Sequence, residues 1–178
     1  MGNPADKPPE SIELHRKQSG RIGPIALAIV TVSDSRTMET DKNGEYLHEQ
    51  VKRLGHRIVD YRVIPDEPAV VERTLEEIAG SDAQLILFNG GTGISPRDTT
   101  IDVIERMLEK EMRGFGEIFR MLSFQEVGTA AMITRATAGV FRGKMVVCTP
   151  GSPAAVRLAW EKLIEPELNH LVWEVRGR

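Results

Sequence analysis

The fold is decided by the stretch LILFNGGTGISPRD, which occupies residues 85–98. It opens with an apolar run, Leu85 to Phe88, of the kind that forms a buried strand. Three glycines follow within four positions, and an amphipathic segment begins near Thr99. This order predicts a strand, a glycine loop and a helix. Such a loop can aim backbone N–H groups at an anion, helped by the positive end of the helix, which favours phosphate binding.

The glycine loop consists of Gly90, Gly91, Thr92 and Gly93. Its glycines lack the side chains that would keep a ligand from the backbone. Arg97 and Asp98 add a cation that could pair with phosphate and a carboxylate that could bind a metal. The alternative is a tight turn that needs positive φ, but a turn explains one glycine and not three. The loop is neither a Walker A motif nor a dinucleotide fingerprint.

Apolar runs and amphipathic segments alternate along the rest of the chain. Strands are also predicted at residues 25–31, 57–64, 132–141 and 145–148, with Arg142-Gly143 as a hairpin turn. Helices are predicted around residues 47–54, 71–78, 101–108, 116–124, 156–163 and 165–175. The alternation predicts a three-layer α/β/α domain with a mostly parallel sheet, and the hairpin predicts one antiparallel strand.

Length and composition predict one globular domain. The 178 residues are 40% hydrophobic and 28% charged, an ordinary balance for such a domain. We assign this domain to residues 21–178. Residues 1–20 contain three prolines and are predicted to form a flexible arm or a strap between subunits.

Composition also argues against several partners. A net charge of −3 gives no basic field, so no nucleic-acid partner is expected. No apolar run approaches the roughly 20 residues needed to span a bilayer, so no membrane association is expected. The N-terminus lacks the apolar core of a secretory signal. With a single cysteine, Cys148, a disulfide framework is excluded and a cytoplasmic location is predicted.

Several polar residues follow predicted strands, where ligands gather in open α/β sheets. Ser33 and Asp34 follow the first strand, Asp66 follows the second, and Gly151 and Ser152 follow the last. These residues should therefore lie on one rim with the glycine loop.

Each of these rim residues has a simpler reading beside the functional one. Ser152 followed by Pro153 is typical of a helix N-cap, and taken alone that reading is the better one. Asp34 and Arg36 could bind a ligand or only begin a loop. Asp66 and Asp98 could hold Mg²⁺, which takes one or two carboxylates with water and phosphate. Alternatively, both could cap the helices that they precede.

Five motifs, in order, resemble those of the MoaB/MogA family of molybdenum cofactor biosynthesis proteins. They are TVSD at residues 31–34, IPDE at 64–67, GGTG at 90–93 with RDTT at 97–100, GFGE at 114–117, and PGSP at 150–153. The resemblance covers residues 25–168, and residues 115–128 look most similar to the MoaB branch. It implies a MogA-like molybdopterin-binding fold that assembles as a trimer or hexamer, and it allows contacts with other proteins of the pathway.

The resemblance also implies an activity, the adenylylation of molybdopterin by Mg²⁺ and ATP with release of pyrophosphate. The family's essential acidic residues fall on Asp66 and Asp98. Its phosphate motifs fall on the glycine loop and on Gly151 and Ser152, while Ser33 and Asp34 fall in the pocket wall. The alternative is a molybdopterin-binding or scaffolding protein without catalysis, and retention of both carboxylates favours the enzyme.

Two further residues bear on this assignment. Asn89 stands where a threonine is common before the glycines, and it keeps a side chain able to form hydrogen bonds. Arg97 is expected to offset phosphate charge or, alternatively, to pair with Asp98. A kinase is disfavoured because no P-loop lysine motif is present.

Overall fold

A six-stranded sheet forms the centre of the computed structural model, which describes residues 22–176. The strands are β1 (Ala26–Val32), β2 (Arg57–Ile64), β3 (Leu85–Asn89), β4 (Lys110–Glu111), β5 (Thr137–Phe141) and β6 (Lys144–Thr149). Their order across the sheet is β2-β1-β3-β6-β5-β4. The four strands β2, β1, β3 and β6 are parallel, whereas β5 runs antiparallel to both of its neighbours. The predicted mostly parallel sheet is confirmed.

Helices cover both faces of this sheet. They are α1 (Lys42–Arg53), α2 (Pro68–Ala79), α3 (Thr100–Met107), α4 (Arg113–Val127), α5 (Pro153–Ala159) and α6 (Glu165–Arg176). A 3-10 helix at Gly128–Ile133 follows α4, and a π-helical turn at Trp160–Ile164 joins α5 to α6. Among the described helices, none combines the length and apolar character that a membrane crossing requires.

Alternating side chains of β1 divide the core into two layers, because successive residues of a strand point to opposite faces. Leu27 and Ile29 pack in the cluster that also holds residues of α1, α4, α5 and α6. Ala28 and Val30 pack in the other cluster, with residues of α2 and α3. The three-layer α/β/α architecture predicted from the sequence is therefore confirmed.

The hairpin turn between β5 and β6 is also confirmed. Arg142 has a φ of 46° and Gly143 a φ of 71°. Positive φ at both central residues is typical of the type I′ turn, whose twist matches that of a two-residue hairpin. The Arg142 guanidinium lies 5.1 Å from the centre of the Phe141 ring, which helps to hold this non-glycine residue in place.

The strand predicted over residues 132–141 is wrong in its first half. The 3-10 helix extends through Ile133, residues 134–136 form no regular element, and β5 begins only at Thr137. Met132 and Ile133 are 82% and 57% exposed, so their apolar character marks a surface and not a buried strand. The short strand β4 was missed because its two residues, Lys110 and Glu111, are charged and exposed.

Cys148 lies in β6 and is fully buried, as its apolar neighbours predict. Burial raises the pKa of its thiol, which keeps the side chain uncharged. The arm predicted at residues 1–20 lies outside the described residues.

Candidate functional site

The carboxyl ends of three parallel strands lie side by side. Thr31 of β1 pairs with Asn89 of β3, and Asn89 pairs with Thr149 of β6. The loops that follow these strands therefore meet at one edge of the sheet, as the sequence predicts. They surround a pocket of about 450 Å³.

Part of the predicted site lines this pocket. Its lining includes Val32, Ser33, Ser35, Arg36, Gly90, Gly91, Thr92, Gly93, Asp98, Ile133, Thr134, Pro150 and Gly151. Asp34, Asp66, Arg97 and Ser152 are not among the lining residues. A larger cavity of about 550 Å³ lies between α1 and β2, but no predicted site residue lines it. We assign the site to the smaller of these two pockets because the glycine loop borders it.

Close contacts explain why the pocket loops need glycine. Gly90 has a φ of 115°, and a Cβ there would collide with the Val32 carbonyl oxygen. Gly91 has a φ of 63°, and a Cβ there would collide with the Asp66 carboxylate. A Cβ on Gly151 would lie 3.0 Å from the Gly90 Cα. Glycine is thus required by the path of the chain, and that need exists with or without a bound phosphate.

Asp66 is buried and caps the start of α3. Its Oδ1 accepts hydrogen bonds from the Thr99 N–H at 3.2 Å, the Thr99 hydroxyl at 2.8 Å and the Thr100 hydroxyl at 2.9 Å. The capping alternative therefore holds for a different helix than expected, because Asp66 precedes α2 but caps α3. Its Oδ2 packs against Gly91 and accepts one hydrogen bond from the described residues, from the Thr99 N–H at 3.3 Å.

Asp98 presents a half-exposed carboxylate to the pocket. Its Oδ2 lies 2.6 Å from the place of a Cβ on Gly93, so glycine at 93 makes room for it. Within residues 22–176 no side chain forms a hydrogen bond or ion pair with this carboxylate. It is therefore available to a cation. No group of three His, Cys, Asp or Glu side chains in the described part of the chain could hold a metal by itself.

Arg97 lies at the outer rim. Its guanidinium pairs with Asp34 at 2.9 Å and with Glu67 at 2.9 Å, so its partners are not Asp98. The hydrogen bond from Arg97 lowers the pKa of Asp34. Asp34 in turn accepts a hydrogen bond from the Asp66 N–H at 3.2 Å. The charge-offsetting role of Arg97 stays a prediction, and its two carboxylate partners argue against it.

Ser33 and Ser152 use their hydroxyls locally. The Ser33 Oγ accepts from the Ser35 and Arg36 N–H groups at 3.3 and 3.2 Å. Ser152 is the N-cap of α5, with its Oγ accepting from the Ala155 N–H at 3.3 Å. The capping alternative for Ser152 thus describes its contacts in the structure.

A buried polar network ties the pocket loops together beneath the surface. The Asn43 amide donates to Asn89 Oδ1 and to the Gly151 carbonyl, both at 2.8 Å. The Asn89 amide donates to the Thr31 hydroxyl at 3.0 Å. Asp41, the N-cap of α1, accepts from the Thr31 hydroxyl at 2.5 Å. Asn89 therefore keeps the hydrogen-bonding role expected at its position.

Sequence reasoning missed Asp41 and Asn43, although one signal was available. An aspartate directly before an amphipathic helix is a typical N-cap, which would have placed Asp41 at the start of α1. Tyr61 of β2 also donates to Asp41, at 2.8 Å. Burial and this hydrogen bond raise the pKa of Tyr61, so its hydroxyl stays a donor.

Arg135 was also missed. Its Nη2 donates to the Gly93 carbonyl at 2.6 Å and its Nε donates to the Thr92 carbonyl at 3.1 Å. An ion pair with Asp102 at 2.7 Å holds the guanidinium in place. Arg135 therefore fixes the glycine loop from outside. Its position in a segment read as a strand gave no signal of this role.

Comparison with known proteins places the chain. A family profile described as "Probable molybdopterin binding domain" matches residues 28–170. The molybdenum cofactor biosynthesis protein B of Halalkalibacterium halodurans is 46% identical over 167 residues, covering 93% of this chain and 97% of that protein. The chain belongs to the MoaB family.

Solved structures of the MoaB family have the same fold. The crystal structure of a molybdenum cofactor biosynthesis protein B superposes with a TM-score of 0.83 at 44% identity, covering 87% of this chain and 98% of that one. A MoaB from Pyrococcus furiosus, described as a tungsten cofactor synthesizing protein, gives a TM-score of 0.79 at 36% identity. It covers 86% of this chain and 98% of its own. The resemblance read from the five motifs is confirmed.

Proposed function

We propose that this member of the MoaB family is a molybdopterin adenylyltransferase. It would transfer AMP from ATP, with Mg²⁺, to the terminal phosphate of molybdopterin. A phosphate oxygen of molybdopterin attacks the α-phosphorus of ATP, and a new P–O bond forms. The bond from the α-phosphorus to the oxygen that bridges to the β-phosphate breaks, and pyrophosphate leaves with that oxygen.

The observation that carries this proposal is the unpartnered Asp98 carboxylate beside the glycine loop. Mg²⁺ suits such a place, because it binds through one or two carboxylates together with phosphate oxygens and water. Asp66 lies behind Gly91, outside the pocket lining, and would supply the second carboxylate through Oδ2 once the glycine loop moves aside. Mg²⁺ would supply neutralisation of charge on the phosphates.

The remaining work of the site is orientation. Gly91 to Gly93 and Gly151 line the pocket, and their N–H groups would bind phosphate oxygens. The Gly90 N–H does not join them, because it donates to the Thr149 carbonyl at 2.9 Å. Ser33 would form part of one wall, Asp34 would hold the outer rim through Arg97, and Ser152 would keep the start of α5 directed at the site. The attacking phosphate is ionised at neutral pH, so no general base is required. Catalysis would come from positioning and charge stabilisation.

Anaerobic incubation with molybdopterin, ATP and Mg²⁺ tests the proposal. We expect pyrophosphate and adenylylated molybdopterin to form in equal amounts, and EDTA to abolish both. Equal formation is the readout because simple ATP hydrolysis would release no modified pterin. If molybdopterin binds but neither product forms, the protein is a non-catalytic binding protein. The three hydrogen bonds that Asp66 makes with α3 would then describe its whole role.

We also propose that copies of the chain associate through an apolar surface, giving the trimer or hexamer that the family resemblance implies. This surface is formed by exposed side chains of α4 and the 3-10 helix, namely Ile118, Met121, Phe124, Val127, Met132 and Ile133. Apolar patches of this kind mark interaction sites on globular proteins. Separately, we propose that the protein is cytoplasmic and that it contacts other proteins of the pathway.

Met121→Glu is expected to weaken this association by at least about 10-fold, because a charge would be buried in an apolar contact. Light scattering should report a mass that falls toward that of one chain. Arg73→Glu places the same side chain on α2, which packs on the other face of the sheet, and should leave the mass unchanged. A trimer that survives Met121→Glu intact would remove α4 from the interface.

A further inference from the structure

The pocket offers little positive charge to the negatively charged substrates that we propose. Its lining residues include two ionised side chains, Asp98 and Arg36. ATP and molybdopterin would bring several negative charges into the same space. Backbone N–H groups carry only partial charges, and Asp98 repels phosphate until a cation lies between them. Arg36 is therefore the one full positive charge that the pocket lining, as described, offers to a phosphate.

The Arg36 guanidinium has N–H donors that its contacts within the chain leave available. Its Nη2 is 3.4 Å from the Gly151 carbonyl oxygen, and its Nη1 is 3.5 Å from Asp41 Oδ1. These contacts are long for an arginine, whose close pairs lie at about 2.7–2.9 Å. The side chain is 29% exposed, so water or a ligand reaches it. A guanidinium carries five N–H donors, and two long contacts leave most of them available.

Asp41 does not need Arg36 in order to remain satisfied. This buried carboxylate accepts from the Thr31 hydroxyl at 2.5 Å, the Tyr61 hydroxyl at 2.8 Å and the Asn43 N–H at 3.1 Å. Arg36 can therefore turn toward a phosphate while the Asp41 carboxylate and the Gly151 carbonyl each keep a hydrogen-bond donor. The contacts with the Gly151 carbonyl and Asp41 place the guanidinium at the pocket wall.

We infer that Arg36 is the phosphate-binding cation of this pocket, in the place that the sequence assigned to Arg97. The inference rests on the proposed function for the identity of the substrates, but the chemistry recognised is that of any polyphosphate. Arg97 is held by Asp34 and Glu67 at the rim, whereas Arg36 lines the cavity itself. Arg36 would bind two phosphate oxygens at once, because its planar fork matches their spacing.

Calorimetric titration with inorganic tripolyphosphate and Mg²⁺ tests this directly, since no transfer reaction takes place. We expect Arg36→Gln to weaken binding by about 10- to 100-fold, the usual effect of losing a charged hydrogen-bond partner. Arg36→Lys should lose less, because the charge remains while the paired geometry is lost. Arg106→Gln is the control and should bind like the wild type. Arg106 is exposed, lies in the last turn of α3 and pairs with Glu72 of α2.

Three results would overturn the inference. They are unchanged binding by Arg36→Gln, a larger loss in Arg97→Gln than in Arg36→Gln, and no binding of tripolyphosphate by the wild type. Thermal unfolding of each variant shows whether the fold is intact, and Arg36→Lys keeps the test valid if Arg36→Gln unfolds. Arg36-dependent binding without adenylyl transfer would reject the proposed reaction and keep the phosphate site.

Discussion

Asp98→Asn is expected to lower the rate of pyrophosphate release by about 100- to 1,000-fold, the scale on which one electrostatic group acts in a preorganised site. An amide has nearly the shape of the carboxylate but lacks the charge that attracts Mg²⁺. The fold should not suffer, because the carboxylate has no side-chain partner within residues 22–176. In this variant the activity should therefore fall while the midpoint of thermal unfolding stays unchanged.

Asp66→Asn provides the matched comparison. It should lower activity as well, but it should also lower the free energy of unfolding by about 1 kcal/mol, because Asp66 caps α3. The exposed Asp82→Asn controls for loss of a carboxylate elsewhere and should change neither property. Near-wild-type turnover in Asp98→Asn would remove Asp98 as a metal ligand. A fall in stability equal to that of Asp66→Asn would show a structural role instead.

Gly90→Ala is expected to lower the free energy of unfolding by about 3 kcal/mol or more, which places it among the severe single substitutions. Two costs combine there. The φ of 115° is one that residues with a Cβ rarely adopt, and the new methyl group would collide with the Val32 carbonyl oxygen. Because that oxygen belongs to the backbone of β1, the strand end itself would have to move.

Gly55→Ala separates these two costs. Gly55 has a φ of 74°, but a Cβ there would meet nothing within 4 Å. It should therefore lose only about 1–2 kcal/mol, the cost of the left-handed conformation. Urea denaturation followed by tryptophan fluorescence gives both values. Equal losses in the two variants would mean that the approach of Gly90 to β1 contributes nothing to stability.

Local patterns predicted most of the fold. The strands β1, β3 and β6 are buried on both faces, and such burial requires apolar residues at successive positions. These strands can therefore be recognised from their own residues alone. The glycine loop and the hairpin at Arg142-Gly143 were likewise readable, because turns depend on residue types that tolerate positive φ. The strand predicted from residue 132 failed because apolar residue types alone do not distinguish an exposed surface from a core.

The candidate site was less predictable, since its contacts join residues far apart in sequence. Asp66 caps a helix that begins 34 residues later, and no local pattern announces such a cap. The sequence predicts a phosphate-pairing role for Arg97, which closes the stretch that holds the glycines, and leaves Arg36 as a residue that binds a ligand or only begins a loop. The place of Arg97 was decided by Asp34 and Glu67, which come from two other loops. Which arginine reaches the pocket is thus settled by competition among carboxylates in three dimensions.

The buried bonds from Asn43 to Asn89 and Gly151 limit how this loop could be transplanted into another protein. An engineered sheet given only the GGTG sequence would lack the Asn43 amide, which joins the end of β3 to the loop that follows β6. It would also lack the glycine at 151 that lets the two loops touch. The smallest graft that should keep its shape carries three strand ends and the first turn of α1 as one unit.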